Sequence, residues 1–101
     1  MVTQLGERIR ELRTSQGLLL RQLGSKLEVD TSIISKIERG NRQLKREQIP
    51  LLAQILKVNT EELHTLWLAD QIYAVVKDEK LANEAMQAAD MKINLKKRKQ
   101  H

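Results

Sequence analysis

Leu27-Glu28-Val29-Asp30-Thr31-Ser32-Ile33-Ile34-Ser35-Lys36-Ile37-Glu38-Arg39-Gly40-Asn41-Arg42 reads as the end of one helix, a tight turn and a short second helix. Ile34 and Ile37 recur at helical spacing and face inward. Ile33 faces either DNA or a neighbouring loop. Asp30 stands at the N-cap, where its carboxylate can accept N–H groups of the next turn. Gly40 stands where a left-handed residue closes the helix. Thr31, Ser32, Ser35 and Lys36 share the opposite, exposed face. Short polar side chains there, with cations at the helix exit, are the layout a helix needs to enter the major groove of a DNA duplex. The polar residues meet base edges and the cations reach phosphates. A solvated helix face with a capping hydroxyl has the same composition, so this stretch by itself leaves both readings open.

Working outward, Leu5, Ile9 and Leu12 give the inner face of a first helix, about Leu5 to Ser15, closed by Gly17. A second helix runs from about Leu20 to Leu27 with Leu23 and Leu27 inward. Gly24 lies where a second helix passes closely, and Val29 fills the turn. The third helix ends at Glu38 or Arg39, and residues 41–46 form a basic loop. A fourth helix spans about Arg46 to Leu56. Pro50 inside it predicts a late or distorted first turn, because proline lacks the N–H and clashes with the carbonyl four residues back. Asn59 caps a fifth helix whose first turn carries Glu61 and Glu62, at the positive helix end. Its apolar set, Leu63, Leu66, Trp67, Ile72, Val75 and Val76, predicts a helix to about Val76. After the polar break at residues 77–80, Asp78 caps a sixth helix, roughly Glu79 to Met91. The low-complexity end, Lys96 to His101, is expected to be disordered.

The chain of 101 residues has no Cys, which excludes disulfides and thiolate metal sites. It has no apolar run near the roughly 18 residues of a membrane span, and its start lacks a signal-peptide pattern. The simplest reading is a cytoplasmic protein. Aromatics are limited to Trp67 and Tyr73, which argues against modules that stack single-stranded bases on aromatic platforms. Few β-branched runs and a single proline predict an all-α fold. Net charge is +5, but its distribution decides more. Residues 1–60 carry eleven Lys/Arg against six Asp/Glu, residues 61–91 two against seven, and residues 92–101 five against none. The basic head suggests a polyanionic partner, and the acidic middle should face away from one.

Together, Leu5 to Leu63 resemble the DNA-binding domain of the phage-repressor/Cro-like (XRE-type) helix-turn-helix family in the order and spacing of these features. The resemblance implies a five-helix repressor-like domain over residues 1–64, followed here by a helical extension at 65–95 and a basic tail at 96–101. It implies base contacts from Thr31, Ser32, Ser35 and Lys36. It implies phosphate contacts from Arg39, Asn41, Arg42, Lys45 and Arg46 after the third helix, and from Arg10, Arg21 and Gln22 at helix ends. Arg13 and Glu38 have the family's spacing for a semi-buried ion pair that orients the third helix more than it stabilises the fold. The chain departs from the family at Leu19 and Leu20, where Ser or Thr followed by Gln is usual. That substitution removes a cap worth about 0.5–2 kcal/mol and passes the phosphate role to Arg21 or Gln22. The two leucines are also readable as a small partner-binding patch.

Leu66, Trp67, Ile72, Tyr73, Val76, Leu81, Ala85 and Met86 exceed what a head closed by Leu63 can bury. They are expected to form a homodimer surface or a hairpin packed on the chain's own head. Two recognition helices would read half-sites of a pseudo-palindrome about one helical turn apart. Small stand-alone members with helical extensions resemble restriction–modification controller proteins. No glycine-rich phosphate loop, metal-ligand spacing or paired carboxylates appear, so no enzyme, cofactor, metal or small-molecule effector is expected. Two other readings remain: an antitoxin-type or adaptor module using the C-terminal helices, and non-specific nucleic-acid binding through the basic head and tail.

Overall fold

The structure is a computed structural model and describes residues 2–99. Every regular element among them is helical: α1 (Gln4–Ser15), α2 (Leu20–Leu27), α3 (Thr31–Glu38), a 3-10 turn (Arg46–Gln48), α4 (Ile49–Leu56), α5 (Thr60–Val76) and α6 (Ala82–Lys99). The all-α expectation therefore holds. Helices α1 to α4 meet through one apolar cluster that includes Leu5, Ile9, Leu23, Ile34, Leu52 and Leu56, and Leu63 of α5 is fully buried in it.

Four of the turns between these helices share one device. Leu18 N–H donates to Arg13 O and Gly17 N–H to Thr14 O after α1. The same pair of bonds runs from Val29 to Gly24 and Glu28 to Ser25, from Asn41 to Lys36 and Gly40 to Ile37, and from Val58 to Ala53 and Lys57 to Gln54. These are Schellman closures, which require a left-handed residue just past the helix. Gly17 (φ 70) and Gly40 (φ 78) supply it as expected. Glu28 (φ 61) and Lys57 (φ 59) supply it without the freedom of glycine. Leu18, Val29 and Val58 then pack on the core, fixing three of the four exits, whereas Asn41 after α3 is exposed.

The helix starts differ more from expectation. Asp30 does occupy the N-cap of α3, but its carboxylate makes no capping bond and stays exposed; its backbone carbonyl receives Ile33 N–H at 2.9 Å. Thr3 caps α1 by accepting Gly6 N–H at 3.0 Å, and the Asp70 carboxylate accepts Gln4 and Leu5 N–H at 2.9 and 3.0 Å. A residue 65 positions away thus completes the cap. The expected late start of the fourth helix is the 3-10 turn, after which Pro50 sits in the first turn of α4, where its missing N–H costs nothing. Asn59 Oδ1 accepts Glu61 N–H at 2.8 Å, capping α5.

The described chain divides into two units, the first ending at Gln71 and the second starting at Ile72. The head therefore runs past the expected boundary at residue 64, because Trp67 and Asp70 belong to its packing. In the second unit, α6 starts at Ala82, too late for Asp78 to cap it. It also continues to Lys99, so residues 96–99 are helical rather than disordered. Gln100 and His101 lie outside the described residues.

Candidate nucleic-acid interface

Helix α3 is divided along its length. Ile34, Ile37 and Glu38 are buried and Ile33 is half-buried against the core. On a helix turning about 100° per residue, Thr31, Ser32, Ser35, Lys36 and Arg39 occupy the complementary arc of about 140°. Thr31, Ser32, Lys36 and Arg39 are exposed and Ser35 is half-buried. The Ser35 carbonyl accepts Arg39 Nε–H at 3.3 Å, which leans the guanidinium back along the helix. The arc carries hydroxyls, an ammonium and a guanidinium, and no carboxylate.

What holds this arc in place is mostly behind it. Arg13 Nε donates to Glu38 Oε2 at 2.6 Å and Nη2 to Oε1 at 3.1 Å, a bidentate pair with side chains only 11% and 6% exposed. Arg13 Nη1 also donates to Leu18 O at 2.8 Å. One guanidinium thus joins α1, its exit turn and the end of α3. Two glycines set the spacing. A Cβ at Gly6 would lie 2.5 Å from Ile37 O and 2.8 Å from Glu38 O, so α1 and α3 touch backbone to backbone. A Cβ at Gly24 would lie 2.8 Å from Val29 O, in the turn itself. The expected close approach at Gly24 is thus to the turn rather than to a helix. Gly6 escaped the sequence reading, although an isolated glycine in a helical pattern is the signal that marks such contacts.

The basic loop after α3 is pinned at its middle. Leu44 is 2% exposed, and its carbonyl accepts Trp67 Nε1–H at 2.7 Å. Asn41, Arg42, Lys45 and Arg46 are exposed around that anchor. The Arg46 guanidinium lies 5.9 Å from the centre of the Trp67 ring, within the range of a cation–π contact. Lys45 N–H donates to Gln48 Oε1 at 3.0 Å, turning the loop into the 3-10 turn. Trp67, placed by its sequence position in the dimer surface, is half-buried against the head's core, as is Leu66. The sequence offered no direct sign that Leu44 and Trp67 meet.

At the start of α2, Arg21 and Gln22 are exposed. Gln22 has a structural task of its own: its Oε1 accepts Leu19 N–H at 2.8 Å. This replaces half of the capping box that a leucine at the N-cap cannot form. Leu20 packs on the core and Leu19 remains 49% exposed, so the two leucines do not act as one patch. Arg10 is set apart from the α3 arc. It lines a shallow groove on α1 with Glu7, Arg8, Glu11 and Leu66, beside the Arg8–Glu62 contact at 3.0 Å. Glu7 and Glu11 line that groove with it. In the second unit Ile72, Tyr73, Leu81, Ala85 and Met86 are exposed and Val76 is half-buried. Among the described residues, no group of His, Asp and Glu side chains could hold a metal ion, and no helix is long and apolar enough to cross a membrane.

A family model described as a helix-turn-helix domain matches residues 4–66. The chain is similar to the restriction-modification controller protein C.AhdI from Aeromonas hydrophila at 37% identity, over 58% of this chain and 89% of that one, with a TM-score of 0.55. It is similar to SinR of Bacillus subtilis, a master regulator for biofilm formation solved in complex with DNA, at 28% identity over 59% and 97% of the two chains, with a TM-score of 0.54. The clp gene regulator ClgR from Corynebacterium glutamicum shares the fold alone, at 21% identity over 96% of this chain and 89% of that one, with a TM-score of 0.57. A search among curated protein sequences returns no match. With more than half of its length matched and its α2–turn–α3 geometry in place, the chain belongs to the phage-repressor/Cro-like (XRE-type) helix-turn-helix family.

Proposed function

We propose that this protein is a sequence-specific, duplex-DNA-binding transcriptional regulator. It acts as a homodimer on a pseudo-palindromic operator. The observation that carries the reading is the carboxylate-free polar arc of α3, backed by the buried Arg13–Glu38 pair and followed by a loop whose exposed cations flank the buried Leu44. Thr31, Ser32, Ser35 and Lys36 read base edges in the major groove. Arg39, Asn41, Arg42 and Lys45 contact phosphates and set register, as do Arg21 and the Nε2 amide of Gln22. Arg46 contributes from its position over Trp67. The likeness to a restriction–modification controller and to a regulator solved on DNA supports the same reading.

Selection of bound sites from a random duplex library at physiological salt tests it. The expected result is a pseudo-palindrome with half-sites roughly 10 base pairs apart. A folded protein that enriches no motif overturns it. An adaptor or antitoxin-type role is favoured by one observation, the exposed apolar residues from Ile72 to Met86. Replacing Ser32, Ser35 and Lys36 together with Ala separates the two. Loss of site selection with intact folding supports the regulator, and unchanged activity in cells supports the adaptor.

A further inference from the structure

We infer that α6 pairs antiparallel with α6 of a second copy of this chain, and that the basic end of the helix is a dimer contact. The inference rests on the homodimer reading for its stoichiometry only. Ala82, Met86, Ala89 and Ile93 recur at spacings of four, three and four along α6, the seam of a two-helix coil. Met86 is 39% and Ile93 53% exposed, and Leu81 beside them is 66% exposed. A solitary amphipathic helix of this kind needs a partner to exclude water from that seam.

Two features of residues 77–99 choose the partner and its direction. Side-chain size alternates along the seam. A parallel, in-register pair would set Ile93 on Ile93 and Ala82 on Ala82, crowding one layer and hollowing the other. An antiparallel pair centred between Gln87 and Ala88 sets Ala82 against the second copy's Ile93, and Met86 against the second copy's Ala89. Every layer then holds one large and one small side chain. Charge runs the same way. Asp78 and Glu79, just before α6, and Glu84 within it precede that centre, whereas Lys92, Lys96, Lys97, Arg98 and Lys99 follow it. Lys77, Lys80 and Asp90 run against this, so the leading segment carries a net −1 from residue 77 and the trailing one +4. A parallel pair would bring the cationic ends together. The antiparallel pair sets them apart and directs each towards the segment of the other copy that carries Asp78 and Glu79.

The chain has no Cys, so introduced thiols report geometry without background. Ala82→Cys alone should not cross-link under mild oxidation, because in this register the two sites lie 11 residues, about 16 Å, apart along the axis, beyond disulfide reach. Ala82→Cys with Ile93→Cys should give a covalent dimer. Cross-linking by Ala82→Cys alone overturns the inference. So does the absence of any cross-link in a chain that sedimentation shows to be dimeric, which leaves the homodimer reading standing. A monomer by sedimentation overturns both. As a check independent of thiols, Lys96→Glu with Lys97→Glu should weaken dimerisation by roughly tenfold or more. Adding Asp78→Lys and Glu79→Lys, the positions opposite them in this register, should restore it. A charge reversal that leaves dimerisation unchanged, or one that the second pair fails to rescue, assigns the cations elsewhere and overturns the inference.

Discussion

Removing either half of the Arg13–Glu38 pair should damage the head far more than removing both. The side chains are 11% and 6% exposed, so solvent screens little of the consequence. Arg13→Met leaves the Glu38 carboxylate buried without its guanidinium, at a cost of about 3–5 kcal/mol. A head of this size is stable by roughly 4–10 kcal/mol, so this one change takes a large share of the total. Glu38→Leu should cost less, since Arg13 keeps the Leu18 carbonyl and its long stem can carry the charge towards water. The double variant Arg13→Met/Glu38→Leu replaces two charges by apolar groups of similar length. It should come within about 1 kcal/mol of the parent, or exceed it. The coupling between the two positions is then at least about 3 kcal/mol. Urea unfolding followed by helical circular dichroism at neutral pH measures all four proteins. Single variants within about 0.5 kcal/mol of the parent, or a double variant equal to the sum of the singles, would refute the reasoning. On the proposed function the stable double variant should still bind its operator less tightly, because a planar bidentate pair fixes the end of α3 more narrowly than two flexible side chains do.

Other positions yield sharper single measurements. Glu28→Gly and Lys57→Gly should each stabilise the head by about 0.5–1 kcal/mol, seen as a higher Tm, since both hold a left-handed φ that costs an L-residue about 1–2 kcal/mol; a lower Tm for both would contradict the Schellman assignment. Gly6→Ala should destabilise by about 1–3 kcal/mol, because the added Cβ meets backbone oxygens of Ile37 and Glu38; unchanged urea midpoints would show that α1 can shift away. Trp67→Phe keeps a ring but loses the bond to Leu44 O, which should cost about 1 kcal/mol and speed hydrogen exchange across residues 41–46. Exchange that does not change there would mean that Leu44 is pinned by burial alone.

Which parts of this molecule the sequence discloses depends on the range of the interactions involved. Ile34 and Ile37, Gly17 and Gly40, Pro50 and Asn59 act within one or two turns, and each was readable from spacing and residue chemistry alone. Glu28 and Lys57 break the glycine signal, although an apolar residue directly after each, Val29 and Val58, marks the closure just as well. The contacts that set the arc of α3 act at longer range. Gly6 answers to Ile37 and Glu38, Asp70 to the start of α1, and Trp67 to Leu44. No local pattern contains both members of such a pair, so Trp67 reads as surplus apolar surface until the Leu44 carbonyl is seen beneath it. The same logic explains why Arg13–Glu38 was legible. Its partners are 25 residues apart, and only a resemblance between whole domains supplied that spacing. Local chemistry therefore locates the groups available to touch DNA, whereas their common orientation depends on α1 and α5, elements that carry none of the proposed base contacts. Substitutions in α5 that leave α3 untouched should accordingly weaken binding through the loop at residues 41–46, and Trp67 is the residue through which that influence passes.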